Sequence, residues 1–368
     1  MCLNQEIKLI YRNNGLKLKK KHIKQIYDKR AEYNWLKGKS SGENLNVGKI
    51  FLYKYLKEQQ KLRFFKQPKL AKIKYQSFFK DIEINYPNQI NQEHRNKENS
   101  FLNESEKERW KAHLKHPLIN QTRIKKAKIV VFGLGGIGSN VLLGLTYGGV
   151  HKYKIVDHDR IEASNLNRQT LYIPNDIGKL KCRVAEKRLL EINPKLNIKS
   201  YNLRVKYPLN KNILKARSEN LPNEFLKVDE LIKWGDIIVN ALDYYGAPFL
   251  INDLCIRNHK PYYWAICNHS FGEIFSFIPE KTACLRCIFG PYDFFNKQQT
   301  LRFRKQNTET TGAVLSSSVI ITGNVVAGMI ISDICNLESN NHGKYIILDV
   351  YKLTLNKIPL SKYKKCEC

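Results

Sequence analysis

The sequence is short of acids and gives little sign of a membrane or secretory address. Of 368 residues, 33 are Asp or Glu against 63 Lys or Arg, leaving a formal net charge of +30. No stretch reads as a membrane span. The most apolar one, "SSSVIITGNVVAGMIIS" (316–332), contains Ser, Thr and Asn and reads as a buried core helix. The opening "MCLNQEIKLIYRNNG" offers no apolar h-region, so no signal peptide is expected. Nine cysteines, an odd number in a long chain, argue against a secreted disulfide scaffold and for a reducing, cytoplasmic setting. There is no zinc-finger, RNP or basic-zipper pattern and no internal repeat. The lysines are spread along the whole chain beside abundant Asn and Ile, so the charge reads as composition rather than as a nucleic-acid footprint. An anionic substrate or an acidic carrier would still benefit from the field.

What is present falls into two regions. Residues 1–100 are polar and strongly basic, with 23 Lys and Arg against 9 Asp and Glu. "KLKKKHIKQIYDKRAEYNWLK" and "GKIFLYKYLKEQQKLRFF" place apolar residues three or four apart, which predicts helices in a small basic domain able to clasp a peptide or partner. "YPNQINQEHRNKENSFLNESEKE" (86–108) reads as a linker. From about Lys125 onward, within a second domain taken as residues 105–368, strands alternate with helices. This predicts an α/β fold, a Rossmann-like, doubly wound, mostly parallel sheet with the N-terminal domain added. "KIVVFG", "YKIVDHD" and "DIIVNALD" read as strands, "SNVLLGLTYGG" and "LKCRVAEKRLLEIN" as helices.

Gly133, Gly135, Gly136 and Gly138 form G-x-G-G-x-G between a strand and a helix. Such a turn lets backbone N–H groups approach a phosphate, to which the helix N-terminus adds partial positive charge. Asp157 ends the next strand, where an acid takes a ribose hydroxyl. Taken alone, this pattern fits NAD, FAD and ATP equally. The following stretch, "DHDRIEASNLNRQTLYIPNDIGKLK" (157–181), differs from an ordinary dehydrogenase by placing two fixed cations, Arg168 and Lys181, after the acid. Two cations suit a triphosphate, whose charge must be neutralised before phosphorus is attacked. Asp243, after "IIVNAL", stands where a carboxylate would hold Mg²⁺ near those phosphates.

With these motifs the sequence resembles the ThiF/MoeB/HesA adenylyltransferases, bacterial relatives of ubiquitin-activating enzymes. The resemblance rests on "GLGGIGSN", "IVDHDRIEASNLNRQTLY", "DIGKLK", "INP", "ALD" and "CLRC". It implies a MgATP site made by Gly133, Gly135, Gly136, Gly138, Asp157, Asn165, Arg168, Lys181 and Asp243. The implied reaction is attack by a C-terminal carboxylate on the α-phosphorus of ATP. It also implies a homodimer with an arginine upstream of the glycine loop reaching the partner's site. "ERWKAHL" is similar to that segment, which makes Arg109 the arginine, although Ala112 replaces a second one.

Cys284 and Cys287 form a C-x-x-C knuckle, and Cys366 and Cys368 a terminal C-x-C. Two close thiolate pairs are the usual set for a structural Zn²⁺. The family's second pair is also C-x-x-C, so this chain departs there. No cysteine occurs between Phe289 and Ser318, the crossover segment in which thioester-forming relatives carry one. That absence, and the N-terminal region of about 100 residues, favour the microcin-type branch, which adenylates a short peptide for peptide natural-product (RiPP) biosynthesis. The alternative is a sulfur-carrier-protein adenylyltransferase for molybdopterin or thiamin biosynthesis.

Overall fold

The structure, a computed structural model, describes residues 102–116, 118–205, 223–243, 246–289, 314–337, 341–364, 366 and 368. The expected basic domain at 1–100 and residues 290–313 of the crossover segment lie outside the described residues. Three short helices come first: α1 (Glu104–Arg109), α2 (Lys111–Lys115) and α3 (Gln121–Lys126). The strands are β1 (Lys128–Phe132), β2 (Lys152–Val156), β3 (Asn197–Tyr201), β4 (Ile237–Asn240), β5 (Tyr262–Asn268), β6 (Phe271–Phe277), β7 (Lys344–Asp349) and β8 (Thr354–Pro359). Between them run α4 (Gly136–Gly148), α5 (Lys181–Ile192), α6 (Asn223–Trp234), α7 (Ala247–Arg257), α8 (Leu285–Phe289) and α9 (Ser316–Ile334).

The eight strands form one sheet in the order β3-β2-β1-β4-β5-β6-β7-β8. From β3 to β5 the pairing is parallel, and from β5 to β8 it is antiparallel. The α/β expectation therefore holds, with an antiparallel extension on one side. β1 is buried on both faces because helices cover both, which is why "IVVF" is uniformly apolar. Each such fully buried side chain contributes roughly 1.5–3 kcal/mol. The run "YIILDVYKLTLNKI" forms the hairpin β7–β8. Its turn contains neither Gly nor Pro, and Leu353 takes φ of 52° there.

The apolar segment at 316–334 is the one helix among the described residues long and apolar enough to cross a membrane. It lies instead along α4, with Val319, Val326, Ala327 and Ile330 in the core. The two helices run parallel and meet every fourth residue. Gly136 faces Val319, Asn140 faces Gly323, Gly144 faces Ala327 and Gly148 faces Ile331. Small residues along this seam let the axes approach closely. Both N-termini therefore end at one edge of the sheet.

Candidate functional site

The parallel strands fix the position of the glycine loop. Phe132 is in register with Val156 of β2 and Asn240 of β4, so Gly133, Asp157 and Ala241 follow side by side at the carboxyl edge. The chain connections diverge on either side of β1, the switch point at which open α/β sheets bind ligands. Gly133 has φ of 89°, and a Cβ there would stand 2.7 Å from the Ala241 carbonyl. A Cβ on Gly138 would stand 1.8 Å from the Gly133 oxygen. Only glycine fits either place. Gly135 is the N-cap of α4 and offers no side chain to the first turn, so the N–H groups there remain open.

Side chains clamp the loop from both sides. Asp157 is buried, accepting the Leu134 N–H at 2.7 Å on Oδ2 and the Asp159 N–H at 2.8 Å on Oδ1. Tyr172 donates its hydroxyl to the Leu134 carbonyl at 2.8 Å. Burial holds the Asp157 carboxyl above the ordinary range, a rise opposed by those amides and by Lys181. Lys181, the first residue of α5, is buried and pairs with Asp159 at 3.0 Å. Arg168 lays its stem over Gly136, with its Cγ 3.5 Å from where a Cβ would stand, and anchors Nη1 on the Ser164 carbonyl at 2.8 Å. Asn165 builds the turn beneath it. Its Oδ1 accepts the Glu162 N–H, and its carbonyl accepts the Arg168 and Gln169 N–H groups. Asp243 is exposed three residues beyond β4, just past the Ala241 peptide that packs on Gly133.

The glycines, Asp157, Asn165, Arg168, Lys181 and Asp243 thus gather at one edge. Arg109 does not join them. Its guanidinium donates to the Ile192 carbonyl at 2.8 Å, at the opposite end of α5 from Lys181. A twelve-residue helix puts those ends about 16 Å apart. One residue escaped the sequence reading. Gln169 is buried, its Nε2 packs 3.8 Å from a Cβ position on Gly135, and its Oε1 has no hydrogen-bond partner. Its place directly after Arg168 in the same segment was the available sign.

The four predicted thiols also come together. Cys284 and Cys366 are 3.5 Å apart, Cys287 and Cys368 3.4 Å, and all four sulfurs lie within 4.8 Å of one another. A tetrahedral Zn–S shell at about 2.3 Å spaces its sulfurs about 3.8 Å apart, so the set fits Zn²⁺. The Tyr363 N–H donates to the Cys287 sulfur at 3.3 Å, the kind of outer contact that orients a ligand. α8 is locked to α7 through Arg286, which is 2.8 Å from Asp253, both buried, and lies 4.6 Å over Phe249. Cys255 is a buried thiol of α7, and Cys267 lies within β5.

Fold and site together define an α/β protein with a glycine loop at the switch point of its sheet and an attached cysteine knuckle. The model of the ThiF family matches residues 111–368, and the chain belongs to that family. A probable molybdopterin-synthase adenylyltransferase of Porphyra purpurea is 32% identical over 70% of this chain and 63% of that protein. A sulfur carrier protein adenylyltransferase of Thermus thermophilus is 33% identical over 46% of this chain and 58% of its own length. The chain thus spans about three fifths of these curated relatives. Among solved structures, E. coli MccB with ATP has the same fold, with a TM-score of 0.58 at 23% identity, covering 70% of this chain and 73% of that one.

Proposed function

We propose that the chain activates a C-terminal carboxylate by adenylation with MgATP. The observation that carries this reading is the open N-terminus of α4 sharing one sheet edge with Lys181, Arg168 and Asp243. In it, the N–H groups after Gly135 receive phosphate oxygens, while Arg168 and Lys181 neutralise them. Asp243 would hold Mg²⁺, which supplies further charge neutralisation. A carboxylate oxygen of the acceptor bonds to the α-phosphorus as the bond to the bridging oxygen breaks, and pyrophosphate leaves with that electron pair. The carboxylate is already ionised at neutral pH, so no general base is required. Positioning and charge supply the catalysis. The Cys284, Cys287, Cys366 and Cys368 set holds a structural Zn²⁺, and the assembly is a cytoplasmic homodimer.

Two acceptors fit. A short peptide in RiPP biosynthesis is supported by the N-terminal region and by the lack of cysteine between Phe289 and Ser318. A sulfur-carrier protein is supported by the names of the Porphyra and Thermus relatives. ATP–pyrophosphate exchange with a panel of Gly-Gly-ended carriers and short peptides decides between them. Exchange that depends on one acceptor and disappears in Lys181→Ala identifies the class. Absence of ATP binding would overturn the adenylation reading.

A further inference from the structure

The face of the sheet turned away from α4 and α5 gathers lysines that the adenylation reading leaves unused. Thr146 of α4 donates to the Tyr153 hydroxyl of β2, and Ser200 of β3 donates to Glu186 of α5. The alternate residues of those strands therefore point to the opposite face, beside α6. They include Lys152 and Lys154 of β2 and Lys199 and Tyr201 of β3, with Lys128 of β1 in line. Register sets Lys128 abreast of Lys152, and Lys154 abreast of Lys199. Neighbouring strands lie about 4.8 Å apart, and like charges directly opposite are destabilising. From α6, Lys227 lies 5.2 Å over the Tyr201 ring, beside Lys199 at 5.7 Å, while Lys154 lies 4.7 Å over Trp234. The bordering acids offset little of this charge. Glu230 is taken by Lys227 at 2.6 Å, and Asp236 accepts the Lys128 backbone N–H at 2.9 Å. Among the described residues, no carboxylate pairs with Lys128, Lys152, Lys154 or Lys199. Burial lowers the Lys154 pKa, Glu230 opposes that, and Lys227 and Lys199 lower it further.

We propose that this face binds single-stranded RNA through its phosphates. The even spread of lysine in the sequence hides the cluster, which exists only once β1, β2 and β3 pair. Two lysine pairs held abreast cost the free fold, and a dense polyanion removes that cost. The other occupants fit less well. A second copy carries the same net charge of +30. An acidic protein needs an apolar or aromatic anchor, and here both rings lie against ammonium groups. A flat bilayer meets protruding groups, whereas Lys128, Lys152 and Lys154 are half-buried. A flexible strand carrying one phosphate per about 3.4 Å can follow the recess. The covered rings leave base stacking little part, so binding is electrostatic and indifferent to base sequence. The Tyr201 hydroxyl has no hydrogen-bond partner among the described residues. It is available to a 2′-hydroxyl, the group that separates RNA from DNA.

The test is fluorescence anisotropy of a labelled oligouridylate of about 12 nucleotides on the full chain, between about 50 and 200 mM salt. Lys154→Gln/Lys199→Gln removes one abreast pair. Lys281→Gln/Lys357→Gln removes the same charge from exposed lysines elsewhere. The first double variant should bind at least about tenfold more weakly at the low-salt end. Its plot of log affinity against log salt should flatten by about 1.4, two contacts at about 0.7 each. The second double variant should stay within about twofold of wild type. Oligothymidylate and an oligoglutamate of equal charge should both bind wild type more weakly than the RNA. Equal losses in the two double variants overturn the proposal, by giving the binding to net charge alone. So does wild type that binds no oligouridylate. Oligoglutamate bound as tightly as RNA overturns it in favour of an acidic protein, and oligothymidylate bound as tightly in favour of DNA. Melting of Lys154→Gln/Lys199→Gln should match wild type. If it falls, Lys152→Gln, which gives up no ring contact, is read instead and should flatten the slope by about 0.7. MgATP affinity, measured alongside by calorimetry, should not change in these variants, so the RNA result stands or falls apart from the adenylation reading.

Discussion

At the glycine-loop edge the groups come from one stretch, Gly133 to Lys181, with Asp243 added. At the cysteine knuckle, thiols 82 residues apart meet. The two places also differ in how they stand without a ligand. Lys181 is paired with Asp159, Arg168 with the Ser164 carbonyl, and Asp157 with two amides. Those groups are satisfied as they are. The knuckle instead gathers four thiols that only a cation can hold together as thiolates. The edge should therefore answer to mutation in activity, and the knuckle in stability.

The largest effect is expected at the knuckle. Cys287→Ser should release zinc and lower stability by about 5 kcal/mol, within the binding free energy of a structural site. At about 2–4 °C per kcal/mol for a domain of this size, melting falls by at least about 10 °C. Scanning calorimetry beside a zinc assay checks it, and a chelator should reproduce the loss in wild type. Next comes Arg286→Ala, which strands the fully buried Asp253 and costs about 4 kcal/mol. Replacing both residues with apolar ones should recover most of that in urea denaturation, because no charge is left behind.

Lys181→Ala turns the comparison round. It should slow ATP–pyrophosphate exchange by about 10²–10³, roughly 3–4 kcal/mol of barrier. Melting should move by less than about 3 °C, since Asp159 is half exposed and its pairing is weak. A large fall in melting together with activity would erase the distinction between the two places.

The edge was legible because its residues sit at spacings that backbone geometry fixes: strand, turn, helix, strand-end acid. The Cys284–Cys287 pair was legible for the same reason. The Arg286–Asp253 pair was hidden, since nothing local links residues 33 apart. The β7–β8 turn was hidden because Leu353 takes a left-handed backbone that sequence reading assigns to glycine. The register of α4 on α9 was hidden too. Its small residues also suit an isolated apolar helix, and only tertiary contact shows which face they line.

Acid should unsettle a third place, away from both. His151 is buried against Trp110, their rings 5.4 Å apart. Burial first, then Lys125, pushes its pKa down to about 4. In the unfolded chain it titrates near 6.5. Between those values the unfolded chain binds a proton that the folded chain does not. Stability is therefore full above about pH 6.5 and falls toward pH 4, by about 3 kcal/mol from this group. Urea midpoints for wild type and His151→Gln across that range should converge as pH falls.

The smallest effect on stability belongs to Arg109, and it bears on whether the edge is complete within one chain. Its guanidinium is exposed, bonded to the Ile192 carbonyl and 5.8 Å over the Trp110 ring. Arg109→Ala should cost less than about 1 kcal/mol. Within its own chain it sits at the far end of α5, so a contribution to exchange must come from across a dimer. Two damaged chains can then repair one another. In a mixture of Arg109→Ala and Lys181→Ala, each mixed dimer would place an intact arginine against an intact lysine in one of its two sites. With random pairing, about a quarter of wild-type exchange returns. An arginine acting only within its own chain restores nothing on mixing. One exchange assay on the mixture thus reads oligomer and role together.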